Sequence, residues 1–179
     1  MKYYAVIDTN VLLSALLSKN EDSATVKVLD AVFEGKITPL YHQDILAEYD
    51  EVLHREKFHL HEEAIRIVLD AVRQYGVEVF PQPTGAVLID MNYLVFYEVA
   101  MEKRDDDAYL VTGNQKHYPF RNFIITPAEM VAIIENNIMT EILFRFYLSQ
   151  AVIHSIGRLC CFKKESLSYP FQNYLLIIH

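Results

Sequence analysis

Four polar side chains lie where a metal-assisted reaction could use them. Asp8 directly follows a short apolar run, and Asp90 follows the apolar residues 87–89. Glu48 lies at the edge of an apolar helical stripe, and Asn114 follows a further apolar run. Carboxylate and carbonyl oxygens suit Mg²⁺ and Mn²⁺, which usually keep water in their other positions. Such an ion would activate water and stabilise negative charge on a phosphoryl group.

Asp8 is the strongest of these candidates because of its surroundings. An apolar, strand-like segment over residues 2–7 precedes it, and residues 11–17 form an apolar helical run. In an open α/β sheet, ligands bind at the carboxyl ends of the strands. An ionised carboxylate in such apolar sequence is costly unless it is paired or binds a cation. We therefore expect the fold to hold Asp8 for a function.

The other three candidates each have an ordinary structural alternative. Glu48 could be a boundary residue of an amphipathic helix, and Asp90 could cap the helix that follows it. Asn114 could be a turn residue that tolerates a left-handed backbone. The acidic run over residues 105–107 is typical of a solvated loop before a strand. Taken one at a time, the residues leave these alternatives open.

Alternating strand-like and helical segments predict the framework that positions these side chains. Strands are predicted over residues 2–7, 37–41, 77–80, 108–112 and 123–125, and helices over residues 11–17, 24–34, 42–58, 61–75 and 94–103. The last helix has the clearest start, with Thr126 as its N-cap, Pro127 at the first position and Glu129 completing a capping box. The alternation predicts an α/β fold in which helices flank a central parallel sheet.

The composition narrows the classes of function. A chain of 179 residues, 52% of them hydrophobic, suits one domain with a real core. A net charge of −8 favours cations or basic partners over a broad phosphate-binding surface. The two cysteines are adjacent, so they form no disulfide framework and indicate a reducing, cytoplasmic setting. We expect no signal peptide, no membrane-spanning segment and no zinc site.

Four stretches together resemble the PIN domain, in particular the PIN domains that serve as toxins of toxin–antitoxin systems. They are residues 6–16, 45–53, 96–100 and 107–118, and their order and spacing cover residues 3–137. The resemblance implies a three-layer PIN-like fold with an acidic cleft at the strand ends. It implies an Mg²⁺- or Mn²⁺-dependent ribonuclease, with RNA as substrate, a cognate antitoxin as partner and assembly as a homodimer.

The resemblance also assigns roles to single residues. Asp8 and Glu48 match the first two acids of the family, and Asp90 matches an additional acid that often precedes the usual third one. These three are the predicted metal ligands, and Asn114 is the fourth predicted catalytic residue. The predicted supporting residues are Asn10, Ser14 and Thr112. Tyr93 stands where relatives usually carry the third acid, so the alternative function is a weakened PIN-like module that binds RNA or protein.

An apolar extension separates this chain from the proteins that it resembles. Relatives typically end near residue 137, whereas here residues 138–179 follow and are rich in Ile, Leu, Phe and Tyr. We therefore predict a PIN-like domain over residues 1–137 and an atypical C-terminal extension over residues 138–179. The extension could pack on the core, mediate dimerisation, occupy an antitoxin groove, or be sequence that is read beyond the ancestral end of the gene.

Overall fold

The computed structural model of the protein describes residues 2–88, 90–140 and 142–143 of the chain. The part of the chain up to Asn137 forms one unit, and the description below concerns that unit alone. The extension predicted over residues 138–179 lies almost wholly outside the described residues. A two-part organisation therefore stays a prediction.

A five-stranded parallel sheet organises the unit. Its strands are β1 Tyr3–Ile7, β2 Ile37–Tyr41, β3 Val77–Glu78, β4 Tyr109–Val111 and β5 Ile124–Ile125. Their order across the sheet is β3-β2-β1-β4-β5, so β1 is central and pairs with both β2 and β4. The parallel sheet predicted from the alternating pattern is confirmed.

Helices cover both faces of this sheet. They are α1 Thr9–Leu17, α2 Ala24–Phe33, α3 Gln43–Leu53, α4 Glu62–Tyr75, α5 Leu94–Glu102 and α6, which begins at residue 127 and continues to the end of this unit. The consecutive β1 residues Ala5, Val6 and Ile7 are all buried. Because alternate residues of a strand point to opposite faces, both faces must be covered. Within the described residues, no helix combines the length and the apolar character needed to cross a bilayer.

Two elements are shorter than the sequence pattern predicts. The helix predicted over residues 42–58 ends at Leu53, and a separate 3₁₀ turn forms at Glu56–Phe58. The strand predicted over residues 77–80 covers only Val77–Glu78 because its partner β2 ends at Tyr41, which pairs with Glu78. In both cases the apolar pattern of the sequence continues beyond the end of the regular element.

The capping box predicted at the start of α6 is confirmed. The Thr126 hydroxyl accepts the Glu129 N–H at 3.2 Å, and the Glu129 carboxylate accepts the Thr126 N–H at 2.7 Å. The backbone hydrogen bond from Thr126 lowers the pKa of Glu129 below its ordinary value of 4.5. The two residues thus satisfy amide groups that the first turn of a helix leaves without partners.

Removing this cap should destabilise the fold measurably. We expect Thr126→Ala to lower the free energy of unfolding by about 1 kcal/mol in urea denaturation, because an N–H of the first turn loses its acceptor. Folding lowers the pKa of Glu129 below its unfolded-state pKa of 4.5. The ionised Glu129 carboxylate therefore stabilises the fold at a pH above 4.5, and this stabilisation is lost as the pH falls through the folded-state pKa. The destabilisation caused by Glu129→Ala should therefore shrink as the solution is acidified.

Glu135, an exposed acid of the same helix, provides the control. Glu135→Ala should change the stability little, with no such pH dependence. Equal and pH-independent effects of the two glutamate substitutions would contradict the capping role of Glu129.

Candidate active site

The strand order places the candidate site between β1 and β4. Strands β2 and β3 lie on one side of β1, whereas β4 and β5 lie on the other. In an open α/β sheet, such a reversal leaves a crevice at the carboxyl ends of the strands, where ligands bind. Asp8 follows β1 and Thr112 follows β4 at this point. The two strand ends are joined by a hydrogen bond of 2.9 Å from the Asp8 N–H to the Val111 carbonyl.

The carboxylate of Asp8 is buried and receives three hydrogen bonds. Asp8 is only 1% exposed. Its Oδ1 accepts the backbone N–H of Asn10 at 2.9 Å and the side-chain amide of Asn10 at 3.2 Å. Its Oδ2 accepts the hydroxyl of Thr112 at 2.7 Å. These donors offset the cost of burying a negative charge and fix the orientation of the carboxylate.

The hydroxyl of Thr112 connects Asp8 to the loop after β4. Thr112 is fully buried. Its Oγ1 donates to Asp8 and accepts the backbone N–H of Asn114 at 2.9 Å. The structure therefore places Asn114 one hydrogen-bonded link away from Asp8, through its main chain. Thr112 and Asn10, both predicted as supporting residues, are in contact with the Asp8 carboxylate.

Glu48 reaches the same region from α3. The hydroxyl of Thr9 donates to Glu48 Oε1 at 2.6 Å, so Glu48 is held by the residue next to Asp8. The neighbouring Tyr49 is buried, and its hydroxyl donates to the carbonyl of Ile7 at the end of β1. Two polar contacts thus tie α3 to the end of β1 and its continuation. They bring Glu48 and Asp8 close enough for their charges to interact.

The electrostatic environment of Glu48 reflects this proximity. Burial raises its pKa above the ordinary value of 4.5, and the negative charge of Asp8 raises it further. The hydrogen bond from Thr9 acts in the opposite direction and favours the ionised form. A cation beside these two carboxylates would relieve both the burial cost and the repulsion. The raised pKa of Glu48 therefore reflects its burial first and its proximity to Asp8 second.

A cavity of about 530 Å³, which we call the acidic cleft, opens beside these residues. Its lining residues are Thr9, Asn10, Asp44, Ala47, Glu48, Glu51, Val52, Arg55, Asp90, Asn92 and Tyr93. Four of these are acids, and the single base, Arg55, is paired with Glu51 at 2.9 Å. Asp8 is not itself a lining residue, because its neighbours Thr9 and Asn10 form the wall.

Asp90 lines the acidic cleft but already has a structural task. Its Oδ1 accepts the N–H of Asn92 at 3.0 Å and so caps the 3₁₀ turn Met91–Tyr93 that leads into α5. Among the described residues, no three or more His, Cys, Asp or Glu side chains are grouped closely enough to hold a metal ion. The structure therefore brings Asp8 and Glu48 together and leaves Asp90 at the wall of the cleft.

Tyr93 lies among the three predicted acids. Desolvation raises its pKa first, followed by the charges of Asp8, Asp90 and Glu48, whereas a hydrogen bond with the side chain of Asn10 opposes these effects. All three predicted metal ligands therefore act electrostatically on one phenol. The side chain of Tyr93 is a neutral phenol, so it adds no negative charge to these acids.

Three residues at the site were not identified from the sequence, namely Thr9, Tyr49 and Tyr118. Thr9 stands between the predicted site residues Asp8 and Asn10, and only this position in the sequence could have identified it. Tyr118 is buried, and its hydroxyl has no hydrogen-bond partner within the described part of the chain. Burial, then the charge of Asp8, raises its pKa. Conversely, the predicted supporting residue Ser14 is exposed on α1 and is not among the residues that line the acidic cleft.

The importance of the Thr112 hydroxyl can be tested by a nearly isosteric substitution. Thr112→Val removes the donor to Asp8 and the acceptor for the Asn114 N–H. We expect it to lower the free energy of unfolding by about 2 kcal/mol in guanidinium denaturation, because a buried carboxylate loses a hydrogen bond.

Thr38 on β2 is the matched control for this substitution. It is also buried, but its hydroxyl has no hydrogen-bond partner among the described residues. Thr38→Val should therefore be neutral or stabilising. A similar loss of stability in both variants would show that Thr112 acts only as a packed strand residue.

Comparison with known proteins identifies the family of the chain. The sequence model of the PIN domain matches residues 4–116, more than half of the chain, and this range includes Asp8, Glu48, Asp90 and Asn114. Neither the curated proteins nor the solved structures searched contain a significant match. PIN domains are generally nucleases that use divalent metal ions. The chain belongs to the PIN domain family.

Proposed function

We propose that this protein is a metal-dependent endoribonuclease, the toxin of a prokaryotic toxin–antitoxin pair. The observation that carries the proposal is the pair Asp8 and Glu48, held by separate hydrogen bonds beside an acidic cleft at the sheet reversal. Membership of the PIN domain family supports the nuclease activity. The toxin role rests on the resemblance of the four sequence stretches.

Asp8, Glu48 and Asp90 are the proposed ligands of Mg²⁺ or Mn²⁺. The donor set fits such an ion, because it consists of oxygens and because two or three carboxylates with several waters satisfy a hard cation. Burial and the charge of Asp8 raise the pKa of Glu48, and a bound cation would oppose both effects. When bound, the ion would activate water and stabilise the charge that develops on a phosphodiester.

The surrounding residues orient the carboxylates and control access to them. Asn10 and Thr112 hold Asp8, and Thr9 holds Glu48. The four acids that line the cleft repel an RNA backbone, so close approach of a phosphate to this wall requires neutralisation by a cation. Asn114 assists through the hydrogen bond that it makes with Thr112.

The toxin assignment brings further proposals about the biology of the protein. Its partners would be an RNA substrate, a cognate antitoxin and a second copy of the chain in a homodimer. Its location would be the cytoplasm, where its RNA target is found.

Cleavage of RNA by the purified protein tests the mechanism. With Mn²⁺ we expect endonucleolytic products on a gel, and none in EDTA. Asp8→Asn and Glu48→Gln should each lower the rate by more than about 100-fold, because removal of groups that merely orient metal ligands already costs about 10- to 100-fold. Both substitutions keep a hydrogen-bonding side chain of similar size.

Asp30, an exposed acid of α2, serves as the charge-matched control. Asp30→Asn should cleave RNA at the rate of the unmodified protein. Cleavage that persists in the Asp8→Asn variant, or that proceeds without a divalent metal, would overturn the mechanism.

A second candidate function is a PIN-like module that binds RNA or a partner protein without cutting. It is favoured by Tyr93, which lies among the predicted acids, and by the capping role of Asp90. Calorimetric titration with Mn²⁺ separates the two functions. Saturable binding supports the nuclease, whereas its absence supports the binding module.

Substitutions of Asp90 and Tyr93 test which groups complete the proposed metal site. Asp90→Asn keeps the helix-capping acceptor but removes the charge, so we expect Mn²⁺ affinity to fall about tenfold. Tyr93→Asp adds a carboxylate and should tighten Mn²⁺ binding, whereas the uncharged Tyr93→Asn should not. Unchanged affinity in the Asp90→Asn variant would restrict Asp90 to its role as a cap.

A further inference from the structure

The loop after β4 carries a second feature that the acidic cleft does not use. Phe120 is 96% exposed, although it is a large aromatic residue. The bases Lys116 and Arg121 flank it and are also exposed. We call residues 116–121 the basic loop. It lies almost entirely beyond the part of the chain that matches the PIN domain, which ends at residue 116.

A cavity of about 240 Å³ is formed by the basic loop and the start of β5. Its lining residues are Gln115, Lys116, Tyr118, Pro119, Phe120, Arg121 and Ile124. These side chains are aromatic, aliphatic, neutral polar or basic, and none is acidic. The cavity thus has the opposite charge character to the acidic cleft, in a protein whose net charge is −8.

The basic loop is anchored at both ends, so the exposure of Phe120 is not that of a frayed segment. The side-chain amide of Gln115 donates to the carbonyl of Ile124 at 3.0 Å and closes the loop across its base. Tyr118 is buried, and Pro119 restricts the backbone directly before Phe120. The aromatic ring of Phe120 is therefore presented to solvent by a constrained backbone.

Aromatic contacts connect this cavity to the acidic cleft. Tyr118 lines the cavity, and its ring meets the ring of Tyr93 edge-on at 5.5 Å. Tyr93 lines the acidic cleft and also stacks on His117 with 4.8 Å between ring centroids. Two adjacent tyrosine rings therefore separate the basic cavity from the acidic cleft.

We propose that the basic loop is a subsite for single-stranded RNA, in which one base stacks on Phe120 while Lys116 and Arg121 contact neighbouring phosphates. Proteins commonly bind unpaired strands through exposed aromatic rings beside basic residues. Such rings suit any sequence, because every nucleobase has a flat face that can stack. A paired base is unavailable for such stacking, so the subsite favours unpaired RNA. This inference rests on the proposed function, since the same strand would continue into the acidic cleft.

Binding of a labelled oligonucleotide tests the subsite separately from cleavage. The full chain is titrated in EDTA into a fluorescent single-stranded RNA of about ten nucleotides, and anisotropy is measured. We expect Phe120→Ala to weaken binding about tenfold, whereas Phe120→Trp should keep it. The double substitution Lys116→Ala and Arg121→Ala should reduce the slope of log K against log salt concentration by about 1.4.

Matched controls lie elsewhere on the protein. Phe33 is a partly exposed aromatic at the end of α2, near the amino end of β2 and thus at the opposite edge of the sheet. Phe33→Ala should bind RNA like the unmodified chain. The double substitution Lys2→Ala and Arg66→Ala removes the same charge from other exposed positions and should leave the salt slope nearly unchanged.

The outcomes separate this inference from the proposed nuclease. Binding that is equal in the Phe120→Ala and Phe33→Ala variants overturns the subsite, as does a failure of the full chain to bind RNA. If Mn²⁺-dependent cleavage needs Asp8 while Phe120 is dispensable for binding, the nuclease stands and the subsite fails. If binding needs Phe120 but no cleavage occurs, the subsite stands and the nuclease fails.

Discussion

The buried carboxylate of Asp8 is the constraint on which the rest of the site depends. A negative charge that is 1% exposed is tolerated only with compensating donors. One set comes from Asn10 at the start of α1. The other comes from Thr112 after β4, which is 104 residues from Asp8 along the chain. Only a fold that places β4 directly beside β1 provides both sets. The site and the central strand pairing are therefore stabilised by the same contacts.

The second carboxylate adds strain of an electrostatic kind. Glu48 is partly desolvated and close enough to Asp8 for the two charges to repel, so its pKa is raised. Burial raises the pKa of the phenols of Tyr49, Tyr93 and Tyr118, and the charge of Asp8 raises each of them further. Active sites commonly retain such unfavourable charge because function requires it. Here the cost is offset by the hydrogen bond from Thr9 to Glu48, and the hydrogen bond from Tyr49 to Ile7 ties α3 to the end of β1.

Charge is divided unevenly around this edge of the sheet. The cleft beside Glu48 is lined by four acids, whereas the cavity beneath Phe120 has two bases and no acid. The two regions therefore differ in the sign of the charge that they present to solvent, within a protein whose net charge is −8. The rings of Tyr93 and Tyr118 form the boundary between these two regions.

The local features of this protein were determined by its sequence, since they depend on neighbours along the chain. The alternating segments predicted the parallel sheet, Thr126 and Glu129 predicted their capping box, and the apolar residues around Asp8 predicted its place between a buried strand and a helix. The tertiary structure alone decided the strand order and the early ends of β3 and α3. It also decided the hydrogen bond from Thr9 to Glu48 and the position of Tyr93 among the acids. Each of these features depends on contacts between segments that are distant in the sequence. The local pattern of apolar and polar residues does not specify such contacts.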